Sequence, residues 1–158
     1  MAIPALASDF KEFLKLFNSN GVEYLLIGGY AVAIHAHVRA TNDIDFWVKM
    51  SPENAARIER ALCEFGFASA LSNGDLFLTP NHVVRMGAPP IRIAILTSIS
   101  GVEFEPCYRE KEMIQIEDAM VPVIGLARLR ENKAASGRLK DMADLESLPG
   151  GPVPPSAS

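Results

Sequence analysis

Two aspartates on one predicted strand are the residues in this sequence best suited to chemistry. Asp43 and Asp45 lie in an alternating stretch, residues 41–50, so both side chains are expected on one face of the strand. Two neighbouring carboxylates repel each other unless a cation lies between them or water solvates both. Mg²⁺ and Mn²⁺ prefer carboxylate oxygens, and Mg²⁺ takes its remaining ligands from water and substrate phosphates. The pair therefore predicts a divalent metal site for phosphate chemistry, the alternative being two solvated surface acids.

A glycine pair that precedes the aspartates by about one helix offers a place for phosphate. Gly28 and Gly29 directly follow the apolar run from Val22 to Ile27. Glycine permits a sharp turn and lets a phosphate approach the backbone closely. The N-terminus of the helix that follows also favours an anion. The pair alone favours a tight turn that needs positive φ, but its spacing before the two aspartates favours binding of a nucleoside triphosphate.

The elements that position these residues alternate between helix and strand. Apolar residues with helical spacing predict a helix from Ser8 to a stop at Asn20-Gly21. The sequence predicts an α/β fold, a small mixed β-sheet flanked by helices. The expected strands are 22–27, 41–50, 76–78, 82–86, 91–97 and 113–123, with Pro122 indicating an edge strand. Further helices are expected at 30–38, 52–65, 125–136 and 138–148, with a partly helical segment after Gly101.

Composition restricts the chain to one globular domain. Of 158 residues, 49% are hydrophobic, and the mean hydropathy is +0.14. We expect a single domain over residues 1–148 and a disordered Pro/Gly/Ser-rich tail over 149–158. The sequence shows neither an apolar run of about 20 residues nor a signal-peptide pattern, so a cytoplasmic protein without a membrane partner is expected. The net charge of −4 does not predict nucleic-acid binding by the whole chain, although a local basic patch remains compatible with it.

Residues 26–48 resemble the signature of the nucleotidyltransferase superfamily, which shares its fold with DNA polymerase β. The signature is an apolar strand, Gly-Gly or Gly-Ser, a helix, and D-x-D on the next strand. Residues 39–45 resemble the R-x-T-x-D-x-D form of small bacterial members. Residues 132–144 resemble the N-K-x-x-x-G-R-x-K-D-x-x-D ending of those proteins, which include abortive-infection and toxin–antitoxin types. The resemblance implies the minimal nucleotidyltransferase fold.

The resemblance also implies an activity, the Mg²⁺-dependent transfer of a nucleoside monophosphate from an NTP to an acceptor hydroxyl. The acceptor would be RNA or tRNA, a protein or a small molecule, and the alternative is a non-catalytic nucleotide-binding partner of a cognate toxin or antitoxin. Asp43 and Asp45 would hold the metal and act in catalysis. Helix-surface pairs, Arg138 with Asp141 and Lys140 with Asp144, are an alternative role for two of the basic residues. The nucleotide-binding residues implied by the resemblance are Gly28, Gly29, Arg39, Thr41, Lys133, Arg138 and Lys140.

One position departs from the family pattern. The superfamily expects a third carboxylate on a later strand, which completes the metal contacts and helps to deprotonate the attacking hydroxyl, and here that position is Ala94. Strand alternation predicts that Ala94 faces the site, opposite in phase to the isoleucines beside it. The chain is then either a degenerate, weakly active member or a chain carrying an engineered Asp→Ala change. Glu103 or Glu105 is an alternative source of the third carboxylate.

Overall fold

The computed structural model describes residues 7–37, 43–67, 75–87 and 92–150. Within these ranges it contains six α-helices and an open, mixed sheet of six strands, which confirms the predicted α/β class. The helices are α1 Ser8–Ser19, α2 Gly28–Ala36, α3 Pro52–Phe65, α4 Phe104–Arg109, α5 Leu126–Ser136 and α6 Leu139–Ser147. The strands are β1 Tyr24–Ile27, β2 Asp43–Val48, β3 Val83–Met86, β4 Arg92–Leu96, β5 Glu112–Ile116 and β6 Ala119–Val123.

Local sequence signals account for the helices that cover one face of the sheet. The α1 helix buries four apolar residues, Phe10, Phe13, Leu14 and Phe17, which recur at helical spacing. Ser51 caps α3, and its hydroxyl accepts a hydrogen bond from the Asn54 amide at 3.1 Å. Aromatic rings of α1 pack on the sheet, since the Phe13 and Phe17 rings each lie 5.2 Å from the ring of Phe46 on β2. This packing fixes the back of β2, whose other face carries the aspartates.

The strand order is β3-β4-β2-β1-β6-β5. The β2 strand runs antiparallel to β1 and parallel to β4, and β3 is antiparallel to β4. The register places Ile27, Asp45, Ala94 and Arg85 directly opposite one another, in one row across four strands. Because directly opposed residues share a face of the sheet, this row brings a strand end, a carboxylate, an alanine and a guanidinium to one surface.

Trp47 anchors the same surface two residues beyond Asp45. Its side chain is buried, packs edge-to-face on Phe104 with 5.2 Å between ring centroids, and its Nε1 donates to the Thr97 carbonyl at 3.4 Å. Trp47 is therefore a core residue that ties β2 to the segment following β4. The tie holds the strand from which Asp45 projects.

The structure corrects two of the predicted strands. Leu76–Leu78 forms a 3-10 helix rather than a strand. Residues 113–123 form a hairpin of two strands, so Pro122 lies on β6, which is paired with both β5 and β1, and the edge-strand prediction was wrong. Proline, which has no backbone N–H, is accommodated because the parallel pairing of β6 with β1 is short. Its register contains a single pair, Leu26 opposite Val123.

The predicted break between the last two helices is confirmed. Gly137 adopts φ +67° at the end of α5, and α6 begins at Leu139. Most of the predicted tail, residues 151–158, lies outside the described residues. Among the helices in the described ranges, none is both long and apolar enough to cross a membrane.

Candidate active site

The predicted site residues meet in one cleft of about 600 Å³. The cleft opens where β1 and α2 meet, beside the start of β2 and β4, and α5 and α6 close it from one side. Two predicted nucleotide-binding residues, Arg39 and Thr41, lie outside the described residues. The remaining predicted residues all line the cleft, namely Gly28, Gly29, Asp43, Asp45, Ala94, Lys133, Arg138 and Lys140.

Gly28 brings the start of α2 against a carboxylate. It is the first residue of the helix, has φ +68°, and a Cβ placed on it would overlap Oδ2 of Asp45. Both the backbone conformation and the close approach therefore require glycine. The N-cap residue, Ile27, has no side-chain group that could cap the helix, and the N-terminus of a helix favours an anion.

The variant Gly28→Ala is expected to weaken binding of a Mg²⁺-bound NTP at least about tenfold, because the added methyl group displaces the Asp45 carboxylate. Gly21→Ala is the matched control. Gly21 has nearly the same backbone angle, φ +69°, but a Cβ there would have no atom within 4 Å. Both variants should lose about 1 kcal/mol of stability through the left-handed backbone. Equal nucleotide affinities for the two variants, measured by calorimetric titration, would contradict the role given to Gly28.

The charge of Asp45, which lies on the same face of β2 as Asp43, is incompletely balanced by its surroundings. Burial raises the pKa of Asp45, and the nearby charge of Asp43 raises it further, while Lys140, Lys133 and Arg85 lower it. The net effect is a raised pKa, so a negative charge on Asp45 is costly and an added cation would stabilise it. The described residues contain no group of three or more Asp, Glu, His or Cys side chains arranged to hold a metal. Two carboxylates nevertheless suit Mg²⁺ that arrives with a triphosphate and water as its other ligands.

Ala94 lies where the predicted third carboxylate would stand. It is half-buried, lines the cleft and is directly opposite Asp45 on the parallel strand β4, which confirms its predicted orientation. Neither Glu103 nor Glu105 lines the cleft. Glu103 precedes α4, and the Glu105 carboxylate pairs with Lys49 at 3.2 Å, just past the far end of β2. Neither glutamate therefore supplies the missing carboxylate.

A buried ion-pair network holds the wall formed by α5 and α6. The Lys133 ammonium lies 2.9 Å from Asp141 Oδ1 and 3.1 Å from Asp144 Oδ2. Asp141 also accepts hydrogen bonds from the Ser136 hydroxyl and from Arg138 Nε, the latter at 2.8 Å. The expected pair between Arg138 and Asp141 is thus confirmed. Lys133 joins the two helices while its side chain still borders the cleft.

Lys140 does not form the expected pair with Asp144, because Lys133 occupies that carboxylate. Within the described part of the chain, no acid lies within ion-pair distance of Lys140. Lys140 lines the cleft, and its charge lowers the pKa of Asp45. It is therefore better placed than Lys133 to bind an incoming phosphate.

The ion-pair network makes the free energy of unfolding depend on pH in the acid range. Burial opposes ionisation of Asp141, but hydrogen bonds from Lys133, Ser136 and Arg138 together lower its pKa from 3.8 to about 2. Because the pKa is depressed in the folded state, Asp141 contributes about 2 kcal/mol above about pH 4, and this contribution is lost as the pH falls through about 2. Asp141→Asn should flatten the dependence of the free energy of unfolding on pH in that window. An unchanged dependence in chemical denaturation between these pH values would contradict the assignment.

Two arginines of the cleft, Arg85 and Arg92, were not predicted from the sequence. Arg92 is directly opposite Asp43, and Arg85 is directly opposite Ala94. Both are exposed and line the cleft. A signal for Arg92 was present, because it shares the strand phase of Ala94. Arg85 could be placed only once the register of β3 against β4 was known.

Comparison with known proteins does not assign the chain to a family. No protein-family model matches the chain, and neither does any curated protein. The resemblance to nucleotidyltransferases therefore stays a prediction from the motifs in residues 26–48 and 132–144.

Proposed function

We propose that this chain is a Mg²⁺-dependent nucleotidyltransferase that transfers a nucleoside monophosphate from an NTP to an acceptor hydroxyl, with turnover reduced by alanine at position 94. One observation carries the proposal. Described residues of two motif segments that lie far apart in the sequence line the same cleft: Gly28, Gly29, Asp43 and Asp45 from the first, and Lys133, Arg138, Lys140 and Asp141 from the second. The first brings glycines and carboxylates, and the second brings lysines and an arginine.

Each part of the cleft has a role in this reaction. The N–H groups at the start of α2 and the Lys140 ammonium would bind the triphosphate. Asp43 and Asp45 would hold Mg²⁺, which neutralises phosphate charge when bound. Arg138, whose side chain is 79% exposed, lies at the rim of the cleft and would contact a phosphate from the solvent side.

The reaction also needs a proton acceptor. A bond forms between the acceptor oxygen and the α-phosphorus, the bond from that phosphorus to pyrophosphate breaks, and the hydroxyl proton passes to a base. Ala94 cannot take a proton. Such catalysis depends mostly on positioning and charge neutralisation. The absence of a carboxylate at position 94 should therefore lower turnover more than nucleotide affinity.

A second candidate is a non-catalytic nucleotide-binding partner of a toxin–antitoxin pair. The alanine opposite Asp45 favours it, as do two exposed apolar residues of α6, Leu139 at 91% and Met142 at 41% exposure. This candidate predicts NTP binding without transfer, even in an Ala94→Asp variant. Transfer by that variant would reject it.

The proposed function is tested first by binding. Calorimetric titration of each of the four NTPs should detect binding in the presence of Mg²⁺ and weaker binding in EDTA. Asp45→Asn should remove the dependence on Mg²⁺. Asp118 is an exposed acid on the β5–β6 turn, so Asp118→Asn should leave that dependence unchanged. Absence of binding by every NTP would overturn the proposal.

Asp45→Asn should also raise the melting temperature of the metal-free protein, because the raised pKa of Asp45 marks a carboxylate whose ionisation opposes folding at neutral pH.

A further inference from the structure

The cleft is basic in an acidic protein. Its lining contains five cationic side chains and three acidic ones, whereas the whole chain carries a net charge of −4. The triphosphate half, which is the part of the cleft proposed to bind the triphosphate, contains the cations Lys133, Arg138 and Lys140 on or next to α5 and α6. Two cations remain, Arg85 and Arg92, on the strands at the other side of the carboxylates.

The two arginines lie on the side where an acceptor must approach. In the sheet, β1 and Gly28 flank β2 on one side, and β4 and then β3 flank it on the other. In phosphoryl transfer the attacking and leaving oxygens lie roughly in line on opposite sides of phosphorus. With pyrophosphate held at Gly28, the attacking hydroxyl comes from the β4–β3 side, over Ala94 and the two arginines.

Both guanidinium groups are available to an anion. In the described part of the chain, neither Arg85 nor Arg92 has an acidic partner within ion-pair distance, although Arg92 stands opposite Asp43 in the register. By contrast, Arg128 outside the cleft is paired with Glu110 at 2.8 Å. The charge of Arg85 reaches the site, because it lowers the pKa of Asp45. Guanidinium binds phosphate through two parallel hydrogen bonds and is the side chain best matched to it.

We propose that Arg85 and Arg92 form a second anion-binding subsite, which binds the phosphodiester backbone of an RNA acceptor beside its attacking hydroxyl. This inference rests on the proposed function and names its acceptor class. The arginines lie on adjacent strands and are offset by two residues, so their Cα atoms are about 8 Å apart. With long side chains at that separation, each guanidinium can contact a different phosphate of one strand. The apolar side chains of Val83, Leu96 and Ile99 line the cleft beside them and offer a surface for a sugar or base.

The test compares two double variants of the full chain. Arg85→Gln/Arg92→Gln removes the subsite, and Arg60→Gln/Arg109→Gln removes the same charge from exposed positions on α3 and α4 outside the cleft lining. Fluorescence anisotropy with a short single-stranded RNA bearing a free 3′ hydroxyl measures acceptor binding. Titration with Mg²⁺ and the NTP that binds most tightly measures the triphosphate half separately.

The subsite variant should bind the RNA about tenfold more weakly. The slope of log K against the logarithm of the salt concentration should become shallower by about 1.4, or about 0.7 for each lost phosphate contact. Its NTP affinity should fall by a much smaller factor, about twofold, because the charge of Arg85 also acts on Asp45, and the control variant should match the unmodified chain. Unchanged RNA binding would overturn the inference. Equal losses of RNA and NTP would place the arginines in the triphosphate half and also overturn it, while the proposed function would stand.

Two further outcomes separate the inference from the proposed function. Competition by a polyglutamate peptide as effective as that by unlabelled RNA would overturn the inference in favour of an acidic protein acceptor. RNA binding that depends on both arginines, in a chain that binds no NTP, would support the subsite and reject the proposed nucleotidyl transfer.

Discussion

Under the proposed function, placing a carboxylate at position 94 by Ala94→Asp is expected to raise the rate of nucleotidyl transfer on the order of 10²- to 10⁴-fold, the range attributed to a positioned general base. Ala94 is half-buried and faces the cleft directly opposite Asp45, so an aspartate there has room and stands beside the other two carboxylates. NTP affinity should change far less than turnover, because in the proposed function α2 and α6 supply most of the contacts to the triphosphate. The measurement is steady-state transfer of label from an α-labelled NTP to RNA and to protein.

Ala94→Asn is the matched control for this prediction. Asparagine has nearly the size of aspartate but cannot accept the hydroxyl proton, so it should leave turnover near that of the unmodified chain. Equal rates for the unmodified chain, Ala94→Asn and Ala94→Asp would show that position 94 takes no part in the reaction. A rise in both variants would assign the gain to packing rather than to proton transfer.

The variant Lys133→Met is expected to lower the free energy of unfolding by about 3–5 kcal/mol, the cost of leaving buried charges without their partner. Lys133 is buried and is the ammonium that balances Asp141 and Asp144 between α5 and α6. For a chain of this size the loss corresponds to a fall in melting temperature on the order of 10 °C. Chemical denaturation followed by circular dichroism measures it.

Lys140→Met is the control for Lys133→Met, because Lys140 is exposed and lies on the first turn of α6. It should change stability by less than about 0.5 kcal/mol while weakening NTP binding. Adding Asp141→Asn to Lys133→Met should recover part of the lost stability, since it removes one of the stranded charges. Equal destabilisation by the two lysine variants would contradict the buried network.

The features of the fold that could be predicted from the sequence depend on signals that each lie within a single strand or helix. Alternation along residues 43–48 placed Asp43 and Asp45 on one face, and the same period placed Ala94 towards the site. Gly137, in the left-handed conformation, ends α5 where the sequence indicated. In each case the signal lies within a few residues of the feature, where backbone geometry alone decides the outcome.

The features that could not be predicted depend on contacts between segments. Arg85 joins the site only through the register of β3 on β4, which its own strand does not encode. The choice of Lys133 over Lys140 as the partner of Asp144 depends on how α5 packs against α6. Pro122 predicts an edge strand from its missing N–H, yet the pairing of β6 on both sides follows from the hairpin with β5 and the short ladder with β1.

In the proposed function, one cleft binds a metal between Asp43 and Asp45 and a triphosphate at the start of α2. The most direct test is the anomalous scattering of crystals grown with Mn²⁺ and a non-hydrolysable NTP analogue. We expect an anomalous peak in contact with both carboxylates, and phosphate density against the backbone of Gly28 and Gly29. A nucleotide bound elsewhere, or a metal that contacts neither aspartate, would contradict it.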